Sequence, residues 1–146
     1  MTLPDFGPLG DLAPGVYRAE LHDVLARFGS AVGPRGRRTR DLAHAYELAR
    51  RTGHLERFLV FGSYVTAKPD PNDVDIILVM DDNFRLETCP VESGALFDHA
   101  VAQARYGASV FWTRPNILIG ETVDEFLAHW QVKRDKSRRG TVEVVP

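Results

Sequence analysis

The feature that most constrains the fold is a strand pattern in which charge leads directly into an apolar run. Residues 76–80 read Ile-Ile-Leu-Val-Met and follow Asp73-Val74-Asp75. A short apolar run rich in β-branched residues is typical of a buried strand. Carboxylates at the start of such a strand are costly unless something compensates them. The pattern therefore predicts a compensating partner close to residues 73–75.

The two aspartates are spaced for joint binding of a cation. Residues i and i+2 of a strand point to the same face, roughly 6–7 Å apart, so Asp73 and Asp75 project together while Val74 points to the opposite side. Two such carboxylates repel each other unless a cation lies between them. Mg²⁺ prefers oxygen ligands, and two metals about 3.5–4 Å apart are typical of phosphoryl transfer. We predict Asp73 and Asp75 as catalytic residues and ligands of Mg²⁺ or Mn²⁺, with a solvated strand end or a turn cap as the alternative.

A Gly-Ser pair ends the preceding apolar segment, residues 57–61. Gly62 permits close approach of the backbone, and Ser63 can begin a short helical turn. Free N–H groups and a hydroxyl at a strand-to-helix junction suit a phosphate group, and Lys68 adds a cation within reach of a triphosphate. We therefore predict nucleotide binding by Gly62, Ser63 and Lys68. An ordinary turn and a surface lysine are the alternatives when each feature is considered alone.

The order of these features resembles the signature of the DNA polymerase β-type nucleotidyltransferase superfamily. That signature is a hydrophobic residue, Gly-Ser, a spacer, and Asp-hydrophobic-Asp-hydrophobic, and residues 61–79 match it with FGSYVTAKPDPNDVDIILV. The chain also resembles a family of small uncharacterised bacterial proteins assigned to that superfamily. Three pieces carry this second resemblance: Pro14-Gly15-Val16 before a helix that ends in Arg27-Phe28-Gly29, the core GSYVTAKPDPNDVD at residues 62–75, and RDKSRRGTVEVV at residues 134–145.

The resemblance implies a function and a set of ligands. Gly62 and Ser63 would bind the nucleotide phosphates, and Asp73 and Asp75 would hold Mg²⁺ for in-line attack on an α-phosphorus, with pyrophosphate leaving. The expected activity is transfer of an NMP from an NTP, ATP included, to a hydroxyl of an RNA, a protein or a small molecule. The superfamily includes small toxin–antitoxin nucleotidyltransferases, so a partner protein or a homo-oligomer is a further expectation.

Active members of the superfamily usually supply a third carboxylate from a neighbouring strand. The expected strand here, residues 108–112, reads ASVFW and has no acidic residue, although Asp98, Glu121 and Asp124 are nearby in sequence. An Asp-x-Asp pair without a third carboxylate can still bind Mg-nucleotide. Two other interpretations therefore stay open, a catalytically degenerate nucleotide-binding module that regulates a partner and a purely structural motif.

The periodicity of the chain predicts a single α/β (α+β) domain with a mixed sheet flanked by helices. We interpret residues 1–15 as an irregular lead-in and residues 16–146 as the nucleotidyltransferase-like domain. Helices are predicted from residue 17 to Gly29, over 37–51, over 94–105 with Ser93 as the N-cap, and over 122–133. Strands are predicted over 57–61, 74–80, 108–112 and 141–145, the last as a candidate edge strand.

Composition narrows the function classes. A chain of 146 residues with 26% charged residues has the size and polarity of one soluble globular domain. A formal net charge of −2 gives no global attraction to nucleic acid or to an anionic membrane. The single cysteine, Cys89, excludes an intramolecular disulfide and fits a reducing compartment. Because no apolar run approaches about 18 residues, we expect a cytoplasmic protein without membrane contact.

Other candidate residues fall into three sets. Two basic runs could contact phosphates or RNA, with solvated polar segments as the alternative: Arg35, Arg37, Arg38 and Arg40, then Lys133, Arg134, Lys136, Arg138 and Arg139. The five histidines lack the spacing of metal ligands. Trp112 and Trp130 could stack on a base but are expected in the core.

Overall fold

The apolar run after Asp75 belongs to a five-stranded mixed sheet in the computed structural model, which describes residues 3–146. The strands are β1 (Val16–Glu20), β2 (Leu55–Phe61), β3 (Val74–Met80), β4 (Ala108–Thr113) and β5 (Thr141–Val145). Their order in the sheet is β1-β5-β2-β3-β4, so β1 and β4 are the two edges. β2 runs antiparallel to both β5 and β3, whereas β1 pairs with β5, and β3 with β4, in parallel.

Helices cover both faces of this sheet. Within residues 3–146 they are α1 (Leu21–Phe28), α2 (Gly33–Arg51), α3 (Val91–Gly94), α4 (His99–Tyr106) and α5 (Val123–Ala128). No helix in this part of the chain has the length and apolar character needed to cross a membrane. The described residues form one compact domain, and the predicted mixed α+β class is confirmed.

Strand β3 is apolar after Asp75, and both of its faces are covered there. One face contributes Ile76 to the main core, which also contains Phe58 from β2 and Leu42 from α2. The other face contributes Ile77 to a smaller cluster with Leu127 of α5. Every residue of β3 except Asp75 is buried. The prediction of a buried strand after Asp75 is therefore confirmed.

The prediction of helix from residue 17 is wrong at its start. Val16–Glu20 form β1, and helix α1 begins only at Leu21. The physical reason is pairing with a distant segment, since Val16 lies opposite Thr141 of β5 in a parallel ladder. A local period cannot reveal such a partner. The same pairing places β5 between β1 and β2, so the prediction of β5 as an edge strand is also wrong.

The ends of several helices differ from the predicted ones, and the residues at the helix ends show why. Helix α2 begins earlier than predicted, with Pro34 in its first turn. Asp98 caps α4 by accepting from the Val101 N–H at 3.1 Å. Ser93, the predicted cap, is buried and donates to the Leu48 carbonyl at 2.7 Å. Helix α5 ends at Ala128, short of the predicted residue 133, and a 3₁₀ turn follows it.

The predicted lead-in is irregular but packed. Over residues 3–15, the described part of that segment, the chain forms neither helix nor strand, and residues 1 and 2 lie outside the described residues. Leu12 is nevertheless buried in the main core, and the Gly10 carbonyl accepts from the Ala67 N–H at 2.9 Å. The lead-in therefore braces the connection between β2 and β3.

Candidate functional site

The sheet brings the Gly-Ser pair and the aspartates together. In the antiparallel pair of β2 and β3, Phe61 lies directly opposite Asp75. Gly62 follows Phe61 and begins a 3₁₀ turn, Gly62–Val65, so the turn starts beside the Asp75 side chain. The two halves of the predicted signature therefore meet in space at the end of one hairpin.

Contact between Gly62 and Asp75 requires a glycine. Gly62 has a φ of +73°, in the left-handed region that L side chains rarely adopt. A Cβ atom on this residue would lie 2.0 Å from Asp75 Oδ2, which is far inside van der Waals contact. The carboxylate therefore occupies space that any other residue at position 62 would fill.

Asp75 is a partly buried acid whose surroundings disfavour its charged form. Burial, with a smaller contribution from the neighbouring Asp73 carboxylate, raises its pKa to about 6, although Arg139 and His99 act in the opposite direction. Within residues 3–146, Asp75 forms no ion pair and no side-chain hydrogen bond. A partly buried carboxylate without a close partner has the electrostatic need that a bound cation would meet.

Asp73 lies just before β3 and is half-buried. Gln103 of α4 donates from Nε2 to Asp73 Oδ2 at 3.3 Å. Sequence reasoning missed Gln103, because only the packing of α4 beside β4 brings it to the aspartate. The period of the sequence predicts a helix that includes Gln103, but it does not indicate that this side chain contacts Asp73.

The predicted nucleotide-binding residues have different surroundings. Ser63 is half-buried, and its carbonyl accepts from both the N–H and the hydroxyl of Thr66, at 3.2 and 2.7 Å. These bonds close the turn that Gly62 begins. Lys68 is exposed at the end of the turn, and its backbone carbonyl accepts from Arg35. The structure thus places Gly62 against Asp75 and Lys68 on the solvent side of the same connection.

The first basic run is largely structural. Arg35 donates to the carbonyls of Phe28 and Tyr64 at 3.0 and 2.7 Å, and also to those of Thr66 and Lys68. Its guanidinium also lies over the Tyr64 ring, 5.3 Å from the centroid. One arginine therefore holds the connection between the Gly-Ser pair and Asp73 against the start of α2.

The other arginines of that run divide between two settings. Arg38 donates to the Asn72 carbonyl and pairs with Asp41 at 2.8 Å. Arg37 and Arg40 are exposed. The hypothesis of direct phosphate contact is therefore best restricted to these two exposed side chains, because the donors of Arg35 already bind backbone oxygens.

The second basic run joins the lead-in to the C-terminal segment. Lys133 and Arg139 both pair with Asp11, at 2.9 and 3.3 Å. Arg139 also lies close enough to Asp75 to lower the pKa of that carboxyl. It is the cation of this run that the structure brings toward the acidic pair.

The position expected for a third carboxylate is occupied by Ser109. In the parallel pair of β3 and β4, Ser109 lies beside Asp75. Between residues 3 and 146, no three His, Cys, Asp or Glu side chains form a group that could hold a metal ion. The acidic site of the described chain is therefore a pair.

The three acids that lie near the motif in sequence are engaged elsewhere. Asp98 caps α4, Glu121 contacts His129 at 3.0 Å, and Asp124 pairs with Arg57 at 2.7 Å. Their proximity in sequence therefore does not supply the missing ligand.

We expect Asp75→Asn to stabilise the protein at pH 8 and to have little effect at pH 4. Because the folded pKa of about 6 exceeds the ordinary value of 3.8, native protein binds the proton more tightly, and stability falls as pH rises from about 4 to about 6. Partial exposure reduces the gain for the neutral amide to about 1–2 kcal/mol at pH 8. Urea unfolding at both pH values measures it. Asp70→Asn, on an exposed neighbour, is the control, and equal stability of Asp75→Asn and wild type at pH 8 would contradict the electrostatic account.

Arg35→Gln should destabilise the protein by about 2–3 kcal/mol, because several charge-assisted hydrogen bonds to the 62–72 connection are lost. Arg37→Gln makes the same charge change at an exposed position of α2 and should alter stability by less than about 0.5 kcal/mol. Urea unfolding gives both values, and amide hydrogen exchange over residues 62–72 should accelerate only in the Arg35 variant. Equal behaviour of the two variants would remove the structural role of Arg35.

Comparison with known proteins identifies a family without a known activity. The chain belongs to DUF6932, a family of unknown function, whose model matches residues 4–145. The match includes the lead-in, the hairpin that carries the acidic pair and the final strand. No curated protein and no solved structure matches the chain.

Proposed function

We propose that the protein is a minimal Mg²⁺-dependent nucleotidyltransferase of the polymerase β type. It would transfer an NMP from an NTP to a hydroxyl of an RNA, a protein or a small molecule. The observation that carries the proposal is the contact between Gly62 and Asp75, since a Cβ on Gly62 would lie 2.0 Å from the Asp75 carboxylate. A turn suited to phosphate and a pair of acids suited to a cation are thereby adjacent.

The donor set at the pair fits a hard divalent cation. Asp73 and Asp75 would hold the metal, and the Ser109 hydroxyl adds a further oxygen beside Asp75. Mg²⁺ in polymerase-type sites is commonly bound by one or two carboxylates, with waters and substrate phosphates completing its ligands. A pair of carboxylates therefore suffices for binding Mg-nucleotide. When bound, the metal supplies the positive charge that offsets charge building up on the phosphates.

The protein's own residues would bind and orient the reactants. Gly62 and Ser63 present a turn to the phosphate chain, and Arg35 fixes the shape of that turn through the carbonyls of Tyr64 and Thr66. An acceptor hydroxyl oxygen would form a bond to the α-phosphorus while the bond to the bridging oxygen of the β-phosphate breaks. Pyrophosphate leaves, and the hydroxyl proton passes to solvent. Positioning and charge stabilisation supply most of the catalysis in reactions of this type.

A second candidate function is a nucleotide-binding module that does not catalyse transfer. The presence of Ser109, rather than an acid, beside Asp75 favours it. Such a module would bind Mg-NTP through the same residues and regulate a partner protein. It differs from the first proposal in one measurable property, the release of pyrophosphate.

Binding and transfer can be separated with Asp73→Ala and a matched control. Asp70→Ala removes an exposed carboxylate from the same connection and should behave as wild type. Calorimetry with each NTP and Mg²⁺ should show binding that Asp73→Ala weakens at least tenfold, about 1.4 kcal/mol. Incubation with α-labelled NTPs and with RNA or cell-extract acceptors should then release pyrophosphate and label an acceptor.

Each outcome has one interpretation. Binding with pyrophosphate release, both reduced by Asp73→Ala, supports the transferase. Binding without release or labelling supports the regulatory module. If folded wild-type protein binds no Mg-NTP, or if Asp70→Ala loses as much affinity as Asp73→Ala, both proposals fail and the motif is structural.

A further inference from the structure

Four aromatic side chains form a continuous surface on one face of the sheet. We call this surface the aromatic platform, and it consists of Phe61, His99, Phe111 and Trp130. Phe111 lies 4.7 Å from Trp130, 5.1 Å from His99 and 6.2 Å from Phe61, measured between ring centroids. Phe61 and Trp130 are 5.0 Å apart, so the rings form a connected group around Phe111.

The platform borders the acidic pair. Phe61 lies opposite Asp75 across the β2–β3 pair. Phe111 follows Ser109 by two residues on β4, so its side chain points to the face on which Ser109 lies beside Asp75. His99 Nδ1 lies 3.4 Å from the carbonyl oxygen of Val110, the residue between Ser109 and Phe111 on β4. The aromatic surface therefore begins where the acidic surface ends.

The platform is supported from beneath and open above. Phe61 and Trp130 pack against the buried cluster that contains Ile77 and Leu127, which fixes their positions. Phe111 and His99 are exposed, and 36% of Phe111 is accessible to solvent. Phe111 lies on the edge strand β4, and its ring contacts Trp130 and His99 on one side while its other side faces solvent. That exposed side is available to a flat ligand.

We propose that the aromatic platform binds the nucleobase of the nucleotide whose phosphates lie at Gly62, Ser63 and the acidic pair. This inference rests on the proposed function and names the part of the substrate that the acidic pair cannot bind. A base would stack on the open side of Phe111, next to His99, with its triphosphate directed toward Asp75. Because every base has a π face, stacking of this kind holds purines and pyrimidines with little discrimination.

The test compares a ligand that has a base with one that lacks it. Calorimetry should give the Kd of Mg-ATP and of Mg-tripolyphosphate for wild type, Phe111→Ala, Phe111→Tyr and Val91→Ala. Phe111→Ala should weaken Mg-ATP about tenfold, and leave Mg-tripolyphosphate within about twofold. Phe111→Tyr keeps the ring and should bind both ligands as wild type does. Val91→Ala truncates another exposed apolar side chain, away from the platform, and should change neither Kd.

The outcomes distinguish failure of this inference from failure of the proposed function. If wild type binds both ligands and Phe111→Ala does not weaken Mg-ATP, the platform does not bind the base, and the phosphate site stands. Equal weakening of both ligands by Phe111→Ala also overturns it, since the change would then act on the phosphate site. If wild type binds neither ligand, the proposed function and this inference both fail.

Discussion

The approach of the Asp75 carboxylate to the backbone of Gly62 is the constraint on which the rest of the site depends. Antiparallel pairing of β2 with β3 puts Phe61 opposite Asp75, so the residue after Phe61 must turn away beside the carboxylate. Only glycine fits there, because a Cβ would overlap Asp75 Oδ2 and the backbone has positive φ. The turn that follows β2 thereby lies beside the acidic pair at the start of β3.

Other parts of the molecule maintain that arrangement. Arg35 donates to carbonyls of the turn, and the Gly10 carbonyl of the lead-in accepts from the Ala67 N–H in the same connection. The irregular lead-in and the start of α2 therefore both stabilise the connection between β2 and β3. Ionisation of Asp75 itself opposes folding, to a degree that grows from about pH 4 and is complete above about pH 6, because burial and Asp73 both disfavour the charged form. Charge held at a strand start against such a penalty is characteristic of a functional site.

Local patterns in the sequence were sufficient for the fold class and for β3, since the apolar run after Asp75 needs two covered faces. They were insufficient for β1, because β1 pairs with β5, which lies at the other end of the chain. The site divides in the same way. The Gly-Ser and Asp-x-Asp spacing was visible, whereas Gln103 and the platform around Phe111 depend on how β4 and α4 pack beside β3. Ser109 beside Asp75 likewise required the register of that pair.

In the proposed site, a divalent cation and a nucleotide bind together at the Gly62–Asp75 contact. Mn²⁺-induced broadening of amide NMR signals in ¹⁵N-labelled protein tests this directly, in the presence of a non-hydrolysable NTP analogue. Substoichiometric Mn²⁺ should first broaden the signals of Gly62, Ser63, Asp73 and Asp75, and should do so more strongly with the analogue than without it. Broadening confined to exposed acids such as Glu87 and Asp135, with no preference for residues 62–63 and 73–75, would contradict it.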